Sequence, residues 1–217
     1  MFIDTANLEE IKLALKTGTV KGVTTNPTIL KKVGKKREEQ ISDILSLGIE
    51  KLYVQTLGET ADEMFCDYKI LKSIGKKHNT KLGIKVPLSI EGLEAVARIK
   101  QDDRNVSILG TAIYSADQGI MGAIAGCDLL APYVNRMQNN SIDSIAEISK
   151  MREFIDSRGL DTQILAASFK NSNQVVDSLV NGAHTCTIPY EIMVQMMNKD
   201  VAINAIRVFN QDGKLTL

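Results

Sequence analysis

Histidine and cysteine are scarce in this chain and neither sign of charge is in excess; each shortage closes off a class of protein. His78 and His184 are the entire supply of imidazole. His78 lies in Lys76-Lys77-His78-Asn79, which reads as a solvated helix end. Without an HxxxH spacing or clustered acids, no multi-histidine metal site and no metal cofactor is expected. A histidine base stays open, although neither position is flanked by other reactive groups. Cys66, Cys127 and Cys186 are odd in number, far apart and outside any CxxC pair. That argues against a disulfide framework or a structural zinc and suits a reducing compartment. Each cysteine reads as a small buried filler rather than a nucleophile. Lys+Arg and Asp+Glu count 26 each, so no net field points to nucleic acid or a membrane surface. The amino terminus has no basic-then-apolar leader, and no apolar run is long enough to span a bilayer. A cytoplasmic location is expected.

What is present is ordinary globular material: 217 residues, 44% hydrophobic and 24% charged, which predicts one domain with a substantial core. The pattern alternates from end to end without a linker or low-complexity segment. Strands are expected over 1–5, 22–26, 51–56, 82–87, 105–111, 129–134, 163–168 and 184–188. Helical patterns follow each one: 7–16, from Pro27, 61–77, from Ser89, 116–125, 141–158, 173–180 and 190–197, with an extra carboxyl-terminal helix and tail over about 200–217. Lys31-Lys32 and Lys35-Lys36-Arg37 form a local basic run that reads as a solvated loop or helix end. Eight alternating units predict an α/β fold of (β/α)8 (TIM) barrel type. A doubly wound open sheet is the alternative, but no strand is followed by the phosphate fingerprint GxGxxG.

One strand holds an anomaly. In Leu82–Pro87 the side chains of Leu82, Ile84 and Val86 share one face, and Gly83, Lys85 and Pro87 the other. A lysine amid apolar residues is costly to bury in its charged form. Taken alone it is an edge-strand residue whose amine reaches water, or half of an ion pair. The other strand ends change that reading: Asp4, Asn26, Gln55, Lys85, Thr111, Tyr133 and Ser168 are all polar. In a barrel these ends converge, and polar groups aimed into one cavity must satisfy each other or a ligand. The set contains an amine, an acid, amides and hydroxyls. That chemistry permits carbonyl activation through an imine, which needs an amine relieved of its proton, and burial works in that direction. Arg136, Ser168 and Lys170, beyond the sixth and seventh strands, are placed to bind an anion such as phosphate.

Several segments carry a resemblance: Phe2-Ile3-Asp4-Thr5, Gly22-Val23-Thr24-Thr25-Asn26-Pro27, Ile84-Lys85-Val86-Pro87 with Glu91-Gly92-Leu93, Leu109-Gly110-Thr111-Ala112, Ala131-Pro132-Tyr133-Val134-Asn135-Arg136, and Leu165-Ala166-Ala167-Ser168-Phe169-Lys170. In these the chain resembles the small transaldolase and fructose-6-phosphate aldolase family, Schiff-base enzymes on a (β/α)8 barrel. The resemblance implies that Lys85 is the imine-forming nucleophile. It makes Asp4 and Asn26, with Thr24 beside them, the holders of substrate hydroxyls, Asp4 nearest the one whose proton moves. Gln55, Thr111 and Tyr133 would position a water that relays protons. Arg136 and Ser168, with Lys170, would bind phosphate. No cofactor is implied, and the partners are sugar phosphates and small hydroxyketones.

Within that family the transaldolase-like members carry Glu where Gln55 stands and Ser-Pro-Phe where Ala131-Pro132-Tyr133 stands. A glutamate can act as a base through water, whereas a glutamine can only orient that water, leaving proton transfer to a tyrosine hydroxyl. The expectation is therefore reversible cleavage of fructose 6-phosphate to dihydroxyacetone and glyceraldehyde 3-phosphate, or a closely related aldol reaction with a related donor. Transaldolase, passing the dihydroxyacetone unit to erythrose 4-phosphate, is the alternative, and a barrel that binds sugar phosphate without turnover is a third. The resemblance also implies a homo-oligomer, a pentamer or decamer whose carboxyl-terminal helix reaches a neighbour, although the polar ending Asn210-Gln211-Asp212-Gly213-Lys214 lacks the aromatic-rich tail expected of it.

Overall fold

The structure, a computed structural model, describes residues 1–80 and 82–216. In chain order it runs β1 (Phe2–Asp4), α1 (Leu8–Leu15), β2 (Gly22–Thr24), α2 (Pro27–Val33), α3 (Arg37–Leu45), β3 (Leu52–Gln55), α4 (Ala61–Lys77) and β4 (Gly83–Pro87). It continues with α5 (Ile90–Asp102), β5 (Ile108–Ile113), α6 (Ala116–Ile124), β6 (Leu129–Pro132), α7 (Val134–Asn139), α8 (Ser144–Arg158) and β7 (Gln163–Ala166), then α9 (Ser172–Val180), β8 (Thr185–Ile188), α10 (Tyr190–Met197) and α11 (Asp200–Lys214). The strands pair in parallel in sequence order, and β8 returns to β1: a closed (β/α)8 barrel with an added carboxyl-terminal helix. Leu217, the end of the expected tail, lies outside the described residues.

Strand alternation divides the interior into two cores. Outward-facing Ile3, Val23, Leu52, Val54, Ile84, Val86, Ile108 and Ile164 pack against the helices. Inward-facing Tyr53, Leu109, Leu129, Ala131, Leu165 and Ala167, with Phe2 and Tyr133 against them, fill the barrel itself. Phe2 and Tyr53 meet edge to face at 5.8 Å, the arrangement ring quadrupoles favour. Glycine makes that layer possible: a Cβ at Gly83 would sit 2.3 Å from the Tyr53 ring. A second tight approach lies where α5 begins. Ser89 caps the helix by accepting from Gly92, and a Cβ at Gly92 would come within 1.9 Å of the Pro87 carbonyl oxygen. Capping holds elsewhere as well, with Asn7 starting α1 and a Thr60–Glu63 capping box starting α4.

Several boundaries differ from the sequence expectation. The fifth strand begins at Ile108 rather than residue 105 and runs past Thr111 to Ile113, because a bulge carries it onward. The sixth ends at Pro132: Tyr133 makes a single bridge to Ala167, and Val134 already opens a short helix. The seventh ends at Ala166, since Ser168 turns left-handed at φ 63°. The long helix starts at Ser144, where Asp143 caps it, not at 141. The segment from Pro27 is two helices, separated by the left-handed Gly34. The basic run spans that break, and Arg37 is not solvated but engaged with Asp67. Cys66 is exposed on α4, so the buried-filler reading holds only for Cys127 and Cys186. No helix among the described residues is long and apolar enough to cross a membrane.

Candidate active site

Parallel strands leave all their carboxyl ends on one face of the barrel, and the polar residues singled out in the sequence lie there. Gln55 pairs in register with Lys85, and Asp4 with Thr24. Lys85 is 2% exposed, with its Nζ 3.4 Å from the Thr25 carbonyl oxygen. The Thr24 hydroxyl donates to Asp4 Oδ1 at 2.6 Å and also lies 2.6 Å from the Thr187 hydroxyl. Thr24 has one proton and gives it to the carboxylate, so Thr187 is the donor to Thr24. Burial pushes the Asp4 carboxyl above its usual range, against the opposing charge of Lys85, the Thr24 hydrogen bond and the charge of Arg136.

Across the mouth, the Thr111 and Tyr133 hydroxyls share a hydrogen bond of 2.9 Å. Thr111 is aimed there by the bulge in β5. Ala112, the next residue, is left-handed at φ 58°, which costs about 1–2 kcal/mol for a residue with a Cβ. Gln118 on α6 holds this distortion: its amide donates to the carbonyls of Leu88 and Ala112 at 2.6 and 3.0 Å and accepts from Tyr114 N–H at 2.9 Å. Both left-handed strand-end residues, Ala112 and Ser168, border the site, where such strain is characteristically retained. Arg136 lies 4.9 Å from the Tyr133 ring centroid and donates to the Tyr114 hydroxyl at 3.3 Å. Tyr114 in turn meets Tyr133 edge to face at 5.7 Å.

A cavity of about 940 Å³ opens over this end. Of the ten residues expected at the site, Asp4, Asn26, Arg136, Ser168 and Lys170 line it. Lys85, Thr24, Gln55, Thr111 and Tyr133 lie off its wall, with Thr24 joined to it through the hydrogen bond to Asp4. Asn26 is also a helix cap. Its Oδ1 accepts from Ile29 N–H at the start of α2, which leaves its NH₂ and one lone pair of Oδ1 to meet a ligand. The arrangement places an amine, a carboxylate, a paired Thr–Tyr hydroxyl and a cationic rim at one barrel end. Sequence reading passed over two contributors. Thr187 was visible in the alternation Thr185-Cys186-Thr187-Ile188, since Cys186 and Ile188 are apolar and face outward. Tyr114 left no such signal, because the bulge breaks the alternation that precedes it.

The architecture and the polar barrel mouth define an α/β barrel whose polar groups gather at the carboxyl ends of its strands. The transaldolase/fructose-6-phosphate aldolase family model matches residues 1–215, and the chain belongs to that family. An aldolase-type activity follows from this membership.

Proposed function

We propose that the protein is a metal-independent Schiff-base aldolase that reversibly cleaves fructose 6-phosphate to dihydroxyacetone and glyceraldehyde 3-phosphate. The observation that carries this reading is Lys85, an amine enclosed within the barrel beside a carboxylate, Asp4, that burial holds above its usual range. The Lys85 amine adds to the C2 ketone, and loss of water gives the iminium. The C3–C4 bond then breaks: its electrons pass into the iminium as an enamine, and the C4 hydroxyl proton leaves to Asp4. Departure of the aldehyde is followed by protonation at C3 and hydrolysis, which returns the free amine. Thr111 and Tyr133, already joined by a hydrogen bond, hold the water that carries these protons, with Gln55 orienting it. Asn26 serves the substrate hydroxyls, and Thr24 does so through Asp4, to which it donates. Arg136, Ser168 and Lys170 take the phosphate.

Gln55 and Tyr133 support cleavage over transfer, since a glutamine cannot itself accept a proton. Release of glyceraldehyde 3-phosphate from fructose 6-phosphate without an acceptor tests the choice. Strict dependence on erythrose 4-phosphate would assign transaldolase instead. The enzyme works in the cytoplasm as a homo-oligomer in this reading. None of the residues of α11 is buried, and its Val201, Ile206 and Phe209 are exposed, a face suited to a second copy. Sedimentation of the full chain against one lacking residues 200–217 tests the assembly; an unchanged number of subunits would remove α11 from it.

A further inference from the structure

Arg37 opens α3 and grips α4. Its Nη1 and Nη2 donate to the two carboxylate oxygens of Asp67 at 2.6 and 2.8 Å. The same Nη2 donates to the Gln55 carbonyl at 2.7 Å, and Asp67 accepts from the Leu57 N–H at 2.9 Å. Between these contacts, the Thr56 N–H donates to the Lys85 carbonyl at 2.8 Å. The end of β3 is thus held from outside on both sides of Thr56 and tied sideways, along the barrel wall, to the residue that bears the amine. The pair is 21% and 12% exposed, so water screens it less than an ion pair on the surface. A bidentate guanidinium–carboxylate pair fixes direction as well as distance. A pair that only joined α3 to α4 would need neither backbone contact.

Resting on the aldolase reading above, we infer that Arg37 and Asp67 are a positioning pair for the proton-transfer step. They fix the β3 terminus so that the Gln55 amide keeps its register with Lys85 and orients the relay water. Both residues sit on helices outside the barrel wall and meet β3 only through its backbone, so they act through Gln55 rather than on substrate.

The test separates imine formation from proton transfer. In Arg37→Met, the extent of borohydride trapping of dihydroxyacetone on Lys85 stays near the native level and KM changes little. Solvent deuterium exchange into dihydroxyacetone slows with kcat by about 10–100-fold, the scale on which small misplacements act. Arg37→Lys, which keeps the charge but not the fork, falls between the two. In a Gln55→Ala background, Arg37→Met adds no further slowing. Native exchange in folded Arg37→Met overturns the proposal, as does an equal slowing with and without Gln55. A parallel loss of trapping and exchange also overturns it. Should Arg37→Met not fold, Arg37→Lys carries the same comparison. No Lys85 adduct in the native protein would defeat the aldolase reading and this one with it; an intact adduct with unaltered exchange defeats only the positioning role.

Discussion

The same strands build two different interiors within one barrel. Toward their amino ends they turn inward Phe2, Tyr53, Gly83, Leu109 and Ala131; two residues further on, the same faces present Asp4, Gln55, Lys85, Thr111 and Tyr133. The first layer is rings, aliphatic side chains and a glycine that admits a ring, all close-packed. The second is polar and hydrogen-bonded, and left-handed alanine and serine border it. One step along the pleat separates a packed floor from a reactive layer. The floor gives rigidity, and the upper layer carries strain and charge that the floor tolerates. Substitutions in the two layers should therefore fail differently.

Lys85→Met makes the widest separation. Activity falls by more than about 10³-fold while folding is retained, because the nucleophile is gone and a buried amine is replaced by an apolar chain. Cleavage rate and thermal midpoint measured on one preparation check this. Tyr53→Ala does the reverse: stability drops by about 3–5 kcal/mol in denaturant unfolding, while kcat per folded molecule changes little. A large loss of kcat with stability intact would dissolve the distinction between floor and reactive layer.

Protonation gives a finer comparison. Asp4 must be ionised to accept a proton, and burial raises its pKa, so the ascending limb of kcat/KM lies at higher pH than for an ordinary carboxylate. The Thr24 hydrogen bond lowers that pKa, so Thr24→Val moves the limb to still higher pH. Thr187→Val has the smallest effect. It removes only the donor to Thr24, and the limb shifts the same way by less. A shift in Thr187→Val as large as that in Thr24→Val would contradict the order Thr187 to Thr24 to Asp4.

Much of this was legible in the sequence for a physical reason: side chains alternate along a strand, so Lys85 lies opposite Leu82, Ile84 and Val86, and the polar ends of the other strands put that face inside. The eight-unit count and the convergence of polar strand ends follow from the same periodicity. What escaped lies where periodicity stops. The left-handed Ala112 has no sequence mark, because alanine is not the residue that conformation selects, and so Tyr114 was missed beyond it. Arg37 read as part of a solvated basic run because its partner Asp67 is 30 residues away on another helix. Cys66 read as buried although its helix turns it outward. Asn26 reads as a ligand group, and its side-chain oxygen also caps α2.

The central claim is that the amine in the upper layer forms the covalent intermediate. Borohydride reduction of the folded protein with dihydroxyacetone, followed by peptide mass analysis, tests it directly. The expected result is a single reduced adduct on the peptide containing Lys85. An unmodified Lys85 in folded protein, or an adduct on another lysine, would contradict the account.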